Sequence, residues 1–201
     1  MFIDVHCHLD MFSEKEIAKI IEESRERDLG IIVSNGTNPE TNLKTLALAE
    51  KYEEVKCALG IYPIDALKLS DKEIEKEIEF IRKNRKKVVA IGEVGMDFKE
   101  SSEKERQRLI FEKFISLSKE LDLPIIVHSR KAEEECIEVL EKNDARKVVL
   151  HCFCGKIKLA ERAAKNGWFL SIPASIKHST QFQEIVQRLP LGNILCETDS
   201  P

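Results

Sequence analysis

Short apolar runs alternate with longer amphipathic segments along the whole chain. Eight runs rich in Val, Ile, Leu and Ala have the length and bounding residues of buried strands. Such runs alternating with helical segments are typical of repeated βα units around a parallel sheet. The predicted strands, in chain order, are FIDVHCH, GIIVSNGT, VKCALGIYP, VVAIGEVGMD, PIIVHSR, KVVLHCF, WFLSIPAS and NILCETDSP.

Seven amphipathic segments follow the first seven strands and predict seven helices. Several begin with an N-cap residue and an acidic first turn, such as Ser13 with Glu14, or Ser70 with Asp71. The predicted helices are SEKEIAKIIEESRERD, PETNLKTLALAEKYEE, SDKEIEKEIEFIRKNRKK, EKERQRLIFEKFISLSKELD, AEEECIEVLEKND, KIKLAERAAKNG and STQFQEIVQRLP.

Eight parallel strands joined by right-handed crossovers close most economically into a barrel. We therefore predict an α/β fold, a (β/α)8 TIM-type barrel formed by a single domain over residues 1–201. A doubly wound open sheet is the rival, but the first βα turn lacks the glycine-rich phosphate loop often found there. The eighth strand ends at Pro201, so we expect either a truncated version of a longer protein or a barrel closed without its last helix.

Composition, charge and the cysteine pattern exclude several classes of protein. The 201 residues are 42% hydrophobic and 34% charged, with no apolar run near the roughly 18 residues of a membrane span. The N-terminus also lacks the pattern of a signal peptide, so we expect a cytoplasmic protein with no membrane partner. The six cysteines form no C-x-x-C pair and are expected to be reduced. A net charge of −4 argues against a protein that coats nucleic acid through its overall field.

Histidines are concentrated at the ends of the predicted strands. Four of the five lie near the C-terminal ends of strands one, five and six: His6, His8, His128 and His151. In a (β/α) barrel these ends meet at one mouth, where active sites are built. Because strand side chains alternate, His6 and His8 face the same side and can chelate one ion.

Two carboxylates, Glu93 and Asp199, end strands four and eight in the same way. Charged residues are rarely buried without a partner, so these two are predicted metal ligands beside the four imidazoles. Six ligands are too many for one tetrahedral site that keeps a water, but they suit two ions sharing a carboxylate. The predicted cofactors are two divalent metal ions, Zn, Mn or Mg, with imidazole favouring Zn and Mg less expected from the ligands alone.

Five segments resemble the signature segments of the TatD-type metal-dependent deoxyribonucleases, a branch of the amidohydrolase-like barrels: FIDVHCHLD, GEVGMDF, PIIVHSR, HCFCG and ILCETDSP. The resemblance implies a (β/α)8 barrel, the same six metal ligands, and DNA as substrate, with exonucleolytic trimming. The third strand departs from the family pattern, because Tyr62 in GIYP replaces a histidine thought to face the substrate. Cys154 also stands where the family commonly has Ser, and SIPAS replaces a Ser-x-x-Gly segment.

Three residues are candidates for substrate binding. Arg130 is expected to share the face of His128, where a guanidinium suits a phosphate oxygen; its alternative role is pairing with Glu133 or Glu134. Lys156 follows strand six on the same rim and could hold a nucleic-acid backbone, or be simply solvated. Tyr62 is the third candidate. The denser basic run from Arg82 to Lys87 precedes strand four and is expected at the opposite end of the barrel.

The leading hypothesis is a phosphodiester hydrolase whose two ions share Glu93 and a bridging hydroxide, with Glu93 and Asp199 as catalytic residues and Asp199 accepting the proton of the attacking water. Its substrate would be DNA or another phosphodiester. One alternative is an amidohydrolase or phosphotriesterase-like hydrolase of a small molecule. Another is a degenerate barrel that acts as a scaffold, which the complete ligand set argues against.

Overall fold

The eight predicted strands form one parallel sheet. The computed structural model describes residues 1–201, and each strand pairs in parallel with the next in the order β1 to β8. The predicted (β/α)8 barrel is confirmed. The strands are β1 (Phe2–Cys7), β2 (Leu29–Asn35), β3 (Val55–Leu59), β4 (Val88–Gly95), β5 (Ile125–His128), β6 (Val148–Leu150), β7 (Phe169–Pro173) and β8 (Ile194–Glu197).

The last strand and the first meet at the end of the barrel where both strands finish. The backbone N–H of Asp199 donates to the carbonyl of His6 at 2.9 Å. The Asp4 carboxylate on β1 accepts hydrogen bonds from the Thr198 backbone N–H at 3.1 Å and from its hydroxyl at 2.6 Å. These bonds join β8 to β1 directly.

All seven predicted helices are present, and Ser13 and Ser70 each form a capping box as their sequences indicate. An eighth helix, the short α3, was not predicted because five residues show no periodicity, although Pro63 at its first turn favours helix initiation. None of the helices combines the length and the apolar character needed to cross a membrane. The helices are α1 (Glu14–Glu26), α2 (Pro39–Lys51), α3 (Pro63–Leu67), α4 (Asp71–Lys83), α5 (Lys104–Leu121), α6 (Glu133–Lys142), α7 (Ile157–Lys165) and α8 (Thr180–Arg188).

Alternation along the strands separates an outer core from the barrel interior. A cluster of 36 buried residues joins strands β3 to β7 to the surrounding helices and includes Ile125 and Val127 of β5. Ile126, between them, instead packs with Ala58 and Ala90 in a small inner cluster. His128 lies two residues beyond Ile126 and shares its face. The packing of β5 therefore directs this imidazole toward the barrel mouth.

Candidate metal centre

Glu93 lies between two pairs of histidines at the mouth of the barrel. One carboxylate oxygen, Oε1, is 2.9 Å from His128 Nδ1 and 3.0 Å from His151 Nε2. The other, Oε2, is 3.4 Å from His8 Nε2 and 3.6 Å from His6 Nε2. Each oxygen therefore faces one pair, which is the arrangement expected of a carboxylate shared by two ions.

An irregularity in β4 turns Glu93 toward the mouth. Ile91 and Val94 both pack in the outer core, and strict alternation would place Glu93 on the face of Ile91. The pairing of β4 with β5 shifts register between Ile91 and Val94, which frees Glu93 from that alternation. Gly95 follows with a φ of 138°, and a Cβ there would lie 2.0 Å from the His128 carbonyl oxygen. Glycine thus permits the close approach of β4 to the strand carrying His128.

Asp199 completes the half of the centre formed by His6 and His8. Its Oδ1 lies 3.6 Å from His6 Nε2 and 3.8 Å from His8 Nε2. The Asp199 side chain is 36% exposed, whereas that of Glu93 is 5% exposed. Asp199 is therefore the carboxylate of the cluster that reaches solvent.

The spacing of the imidazole nitrogens fits metal ions. His6 Nε2 and His8 Nε2 are 3.3 Å apart, and so are His128 Nδ1 and His151 Nε2. Two nitrogens each bound at about 2.0–2.1 Å to one tetrahedral ion are separated by nearly that distance. The donor set, four imidazoles and two carboxylates, also matches the ligands of borderline divalent ions. The residues present therefore fit two ions, one for each histidine pair.

Burial and charge shift the protonation of this cluster strongly. Burial is the main reason that the pKa of His6 falls to about 3, so its nitrogen lone pair is free at neutral pH. Burial also acts to lower the pKa of His151, but the charge of Glu93 and a hydrogen bond to it raise that pKa to about 9. Burial of Glu93 opposes its ionisation, yet the charge on His151 and the bonds from His128 and His151 hold the pKa of Glu93 well below its ordinary value. Without metal, the centre thus holds a carboxylate paired with an imidazolium.

Polar groups that the sequence analysis did not assign hold two of the four imidazoles. His8 Nδ1 lies 2.9 Å from the carbonyl oxygen of Asn35. His128 Nε2 lies 2.9 Å from Asp97 Oδ2. Partners of this kind fix the tautomer and the direction of a ligating imidazole. Asp97 could have been noticed as the last residue of the quoted VVAIGEVGMD run, whereas a backbone carbonyl leaves no signal in the sequence.

Glu197 is a further buried carboxylate beside the centre that the sequence analysis did not single out. It accepts hydrogen bonds from the Ser171 hydroxyl and the Cys152 backbone N–H, and its Oε2 lies 3.9 Å from His151 Nδ1. Burial is the largest cause that raises the pKa of Glu197 to about 7. Its place in the ETDSP segment, two residues before Asp199, was the available signal.

The three candidates for substrate binding differ in their exposure to solvent and in their bonding partners. Arg130 is 47% exposed, and its Nη1 lies 3.3 Å from Glu100 Oε1 rather than against Glu133 or Glu134. Lys156 is exposed at the start of α7 and forms no ion pair. Tyr62 is half-buried, and its hydroxyl donates to Asp97 Oδ2 at 2.8 Å.

A cavity of about 360 Å³ opens beside the centre and is lined by Arg130, Cys154 and Asp199 as well as His128 and His151. Its size is that of pockets that hold small ligands or part of a larger one. The guanidinium and the exposed carboxylate therefore border the same space as the candidate ligands.

Comparison with known proteins identifies relatives that match this chain along its length. The family model described as TatD related DNase matches residues 3–201. An uncharacterized metal-dependent hydrolase of Methanocaldococcus jannaschii is 36% identical over 100% of this chain and 78% of its own length. The human deoxyribonuclease TATDN3 is 34% identical over 99% of this chain and 77% of its own length.

Among solved structures, the fold is similar to the crystal structure of YJJV, a TatD homolog from Escherichia coli. The TM-score is 0.90 at 33% identity, and the match covers 98% of this chain and 78% of that one. A TatD family hydrolase from Entamoeba histolytica has a TM-score of 0.87 at 21% identity and shows the fold alone.

Proposed function

The chain belongs to the TatD family of metal-dependent hydrolases, and we propose that it is a deoxyribonuclease that hydrolyses phosphodiester bonds with two divalent metal ions. The observation that carries the proposal is the position of Glu93, with one carboxylate oxygen facing each histidine pair. The human relative named as a deoxyribonuclease supports DNA as the substrate.

His6, His8 and Asp199 would hold one ion, and His128 and His151 the other, with Glu93 shared between them. Zn, Mn and Mg remain the candidate ions. Divalent ions at these positions supply Lewis-acid chemistry, making water more acidic and neutralising charge on the phosphate. The low pKa of Glu93 keeps this carboxylate ionised and therefore able to serve as a ligand.

The chain's own residues supply proton transfer and binding in this proposal. Asp199 accepts the proton of the attacking water, because its carboxylate is the one that reaches both solvent and the cluster. Arg130 binds a phosphate oxygen from the wall of the shared cavity. Lys156, exposed and unpaired, contacts the nucleic-acid backbone farther along the rim.

The test is hydrolysis of an end-labelled single-stranded DNA oligonucleotide with added Mn or Mg. Wild type and Glu93→Gln are purified in the same way, because a contaminating nuclease would remain in both preparations. Glu53→Gln is the matched control, since Glu53 is exposed and precedes β3 at the opposite end of the barrel. We expect cleavage by the wild type and by the control but not by Glu93→Gln, and the ladder of products would report the direction of trimming.

An intact oligonucleotide after incubation with folded, metal-loaded wild type would contradict the proposal. The same preparation would then be assayed on small phosphate esters and amides, which the alternative of a small-molecule hydrolase predicts as substrates. The cavity of about 360 Å³ would accommodate ligands of that size.

A further inference from the structure

We propose that Tyr62 and Asp97 are positioning residues that fix the tautomer and orientation of His128, so that its Nδ1 faces the metal centre. The proposal rests on the metal centre described above but not on DNA as the substrate. It gives Tyr62 a role through a ligand of the centre, rather than the substrate contact that the sequence resemblance implied.

Asp97 is held more firmly than an ordinary loop carboxylate. It is fully buried, and its Oδ1 accepts the backbone N–H groups of Lys99 at 2.9 Å and Glu100 at 3.0 Å. Gln107 on α5 brackets its backbone, with the Asp97 N–H donating to Gln107 Oε1 at 2.7 Å and Gln107 Nε2 donating to the Asp97 carbonyl at 3.1 Å. The position of Oδ2 is therefore determined by two separate elements of the barrel.

That oxygen keeps a proton on Nε2 of His128. An ionised carboxylate only accepts hydrogen bonds, so His128 Nε2, 2.9 Å from Asp97 Oδ2, must be the donor. His128 Nδ1, on the other side of the ring, lies 2.9 Å from Glu93 Oε1 and 3.3 Å from His151 Nε2. Without metal, Nδ1 donates to Glu93 as Nε2 donates to Asp97, and an ion that binds the ring would take the place of the Nδ1 proton. Because Asp97 keeps Nε2 protonated, Nδ1 is the nitrogen of His128 that is left to bind an ion.

Tyr62 holds the same carboxylate oxygen from the other side. Its hydroxyl donates to Asp97 Oδ2 at 2.8 Å, and its ring meets the His128 ring edge-on, with centroids 5.0 Å apart and planes at 78°. The Tyr62 backbone N–H donates to the Thr37 carbonyl at 2.8 Å, which anchors the residue to the loop after β2. One residue therefore contacts both members of the Asp97–His128 pair and limits the rotation of each.

The experiment compares wild type, Tyr62→Phe and Asp97→Asn by two measurements that need no substrate. Long-range ¹H–¹⁵N NMR of the protein loaded with Zn²⁺ identifies which nitrogen of His128 carries the proton. Calorimetric titration with Mn²⁺ or Zn²⁺ gives the affinity of each site. Tyr52→Phe is the matched control, because Tyr52 is the only other tyrosine and caps the C-terminal end of α2, away from the centre. A melting curve for each variant identifies any loss of folding.

We expect the Nε2–H tautomer of His128 in wild type and in Tyr52→Phe, and a mixture of tautomers in Asp97→Asn. Asp97→Asn should weaken one metal site by roughly 10- to 100-fold, the usual effect of removing such a partner. Tyr62→Phe, which keeps the ring and its packing, should weaken the same site by a smaller factor, without raising KM for an oligonucleotide.

Two results would overturn the proposal. One is an unchanged Nε2–H tautomer in Asp97→Asn. The other is a Tyr62→Phe variant whose metal affinities equal those of wild type while KM rises, which would assign Tyr62 to the substrate. A protein that binds metal as described but leaves DNA intact would contradict the proposed nuclease activity and leave the positioning role supported.

Discussion

The rings of His6 and His151 stack face to face, with centroids 3.9 Å apart and planes within 5° of parallel. They belong to different histidine pairs, so the stack joins the two halves of the centre directly. If both rings were protonated, their positive charges would repel each other strongly at this distance. The opposite pKa shifts, His6 to about 3 and His151 to about 9, leave one ring neutral and the other charged between them. The two halves of the centre therefore form one packed unit, and a ligand of either half should stabilise both.

Metal binding is accordingly expected to raise the melting temperature of the protein. Ions that bind only the folded state stabilise it by about 2.7 kcal/mol at a free concentration of 100 times Kd. Glu93→Gln should lose most of this gain, because it removes the ligand that faces both pairs. Differential scanning fluorimetry with and without Mn²⁺ or Zn²⁺ measures the shift.

The control for this prediction is His178→Ala, which removes the one exposed histidine outside the cluster and should keep the full metal-dependent shift. A shift of equal size in Glu93→Gln would show that the ions bind elsewhere.

Glu77 is expected to make stability depend on pH. This glutamate of α4 is 6% exposed and accepts a hydrogen bond from Asn42 Nδ2 at 2.7 Å, and burial raises its pKa. A carboxyl whose pKa is higher in the folded than in the unfolded protein contributes most to the free energy of unfolding at a pH below its unfolded pKa. That contribution is lost as the pH rises through its folded pKa. Glu77→Gln keeps an acceptor for Asn42 without the charge, so it should be more stable than wild type at pH 7.

Urea unfolding at pH 7 and at about pH 3.5 tests this prediction, because the difference between Glu77→Gln and wild type should shrink at the lower pH, below the ordinary glutamate pKa of about 4.3. Glu22→Gln on α1 changes an exposed carboxylate instead and should differ little from wild type at either pH. A wild type more stable than Glu77→Gln at pH 7 would contradict the assignment.

The strand order and the gathering of the histidines could be predicted because both follow from local pattern. Apolar runs locate the strands, and a parallel barrel brings every strand end to one mouth, so His128 and His151 meet although 23 residues apart. The inward turn of Glu93 could not be derived from alternation, since it depends on a register shift between β4 and β5. Glu93 was predicted as a metal ligand from the chemistry of its carboxylate and from the family resemblance instead.

The contact between Asp97 and Tyr62 behind the ligands could not be predicted for a different reason, although Tyr62 itself was a candidate for substrate binding. Asp97 and Tyr62 are 35 residues apart in the chain and meet only because β3 and β4 are neighbours in the sheet. A single acid after a strand has many possible partners, and no periodicity selects one. Helix α3 escaped prediction because five residues are too few to show an amphipathic face.

Cys154 should be the thiol that reacts at the lowest pH. It is exposed in the cavity beside the centre, and its Sγ donates to the Cys152 carbonyl at 3.2 Å. Interaction with the Cys152 side chain is the main cause that lowers the pKa of Cys154 to about 7. Burial instead raises the pKa of Cys57 to about 11. In a Cys196→Ser background, which removes the other exposed thiol, alkylation by iodoacetamide should reach half its maximal rate near pH 7.

Mass spectrometry of the peptides identifies the modified residue, and Cys154→Ser should abolish the fast reaction. Cys152→Ala removes the side chain that lowers the pKa of Cys154 and should shift the rate profile to higher pH. If Cys152 is present and the rate of Cys154 alkylation rises only near the ordinary thiol pKa of about 8.5, the prediction is contradicted.

Arg130 tests whether the cavity beside the centre binds the nucleic-acid backbone. Its guanidinium pairs only with Glu100, at 3.3 Å, with both side chains about half exposed, so little stability should depend on that pair. Arg130→Ala should raise KM for a single-stranded oligonucleotide by roughly 10-fold or more, because a hydrogen bond to a charged group contributes about 1.5–3 kcal/mol. The salt dependence of binding should also weaken, by about 0.7 in the slope of log K against log salt for each phosphate that the variant no longer neutralises.

Lys86→Ala, in the basic run at the opposite end of the barrel, is the charge-matched control and should change neither quantity. If Arg130→Ala kept the KM and salt slope of wild type while Lys86→Ala altered them, DNA would be held at the other end of the barrel, and the cavity would be free for the small substrates of the alternative hydrolase.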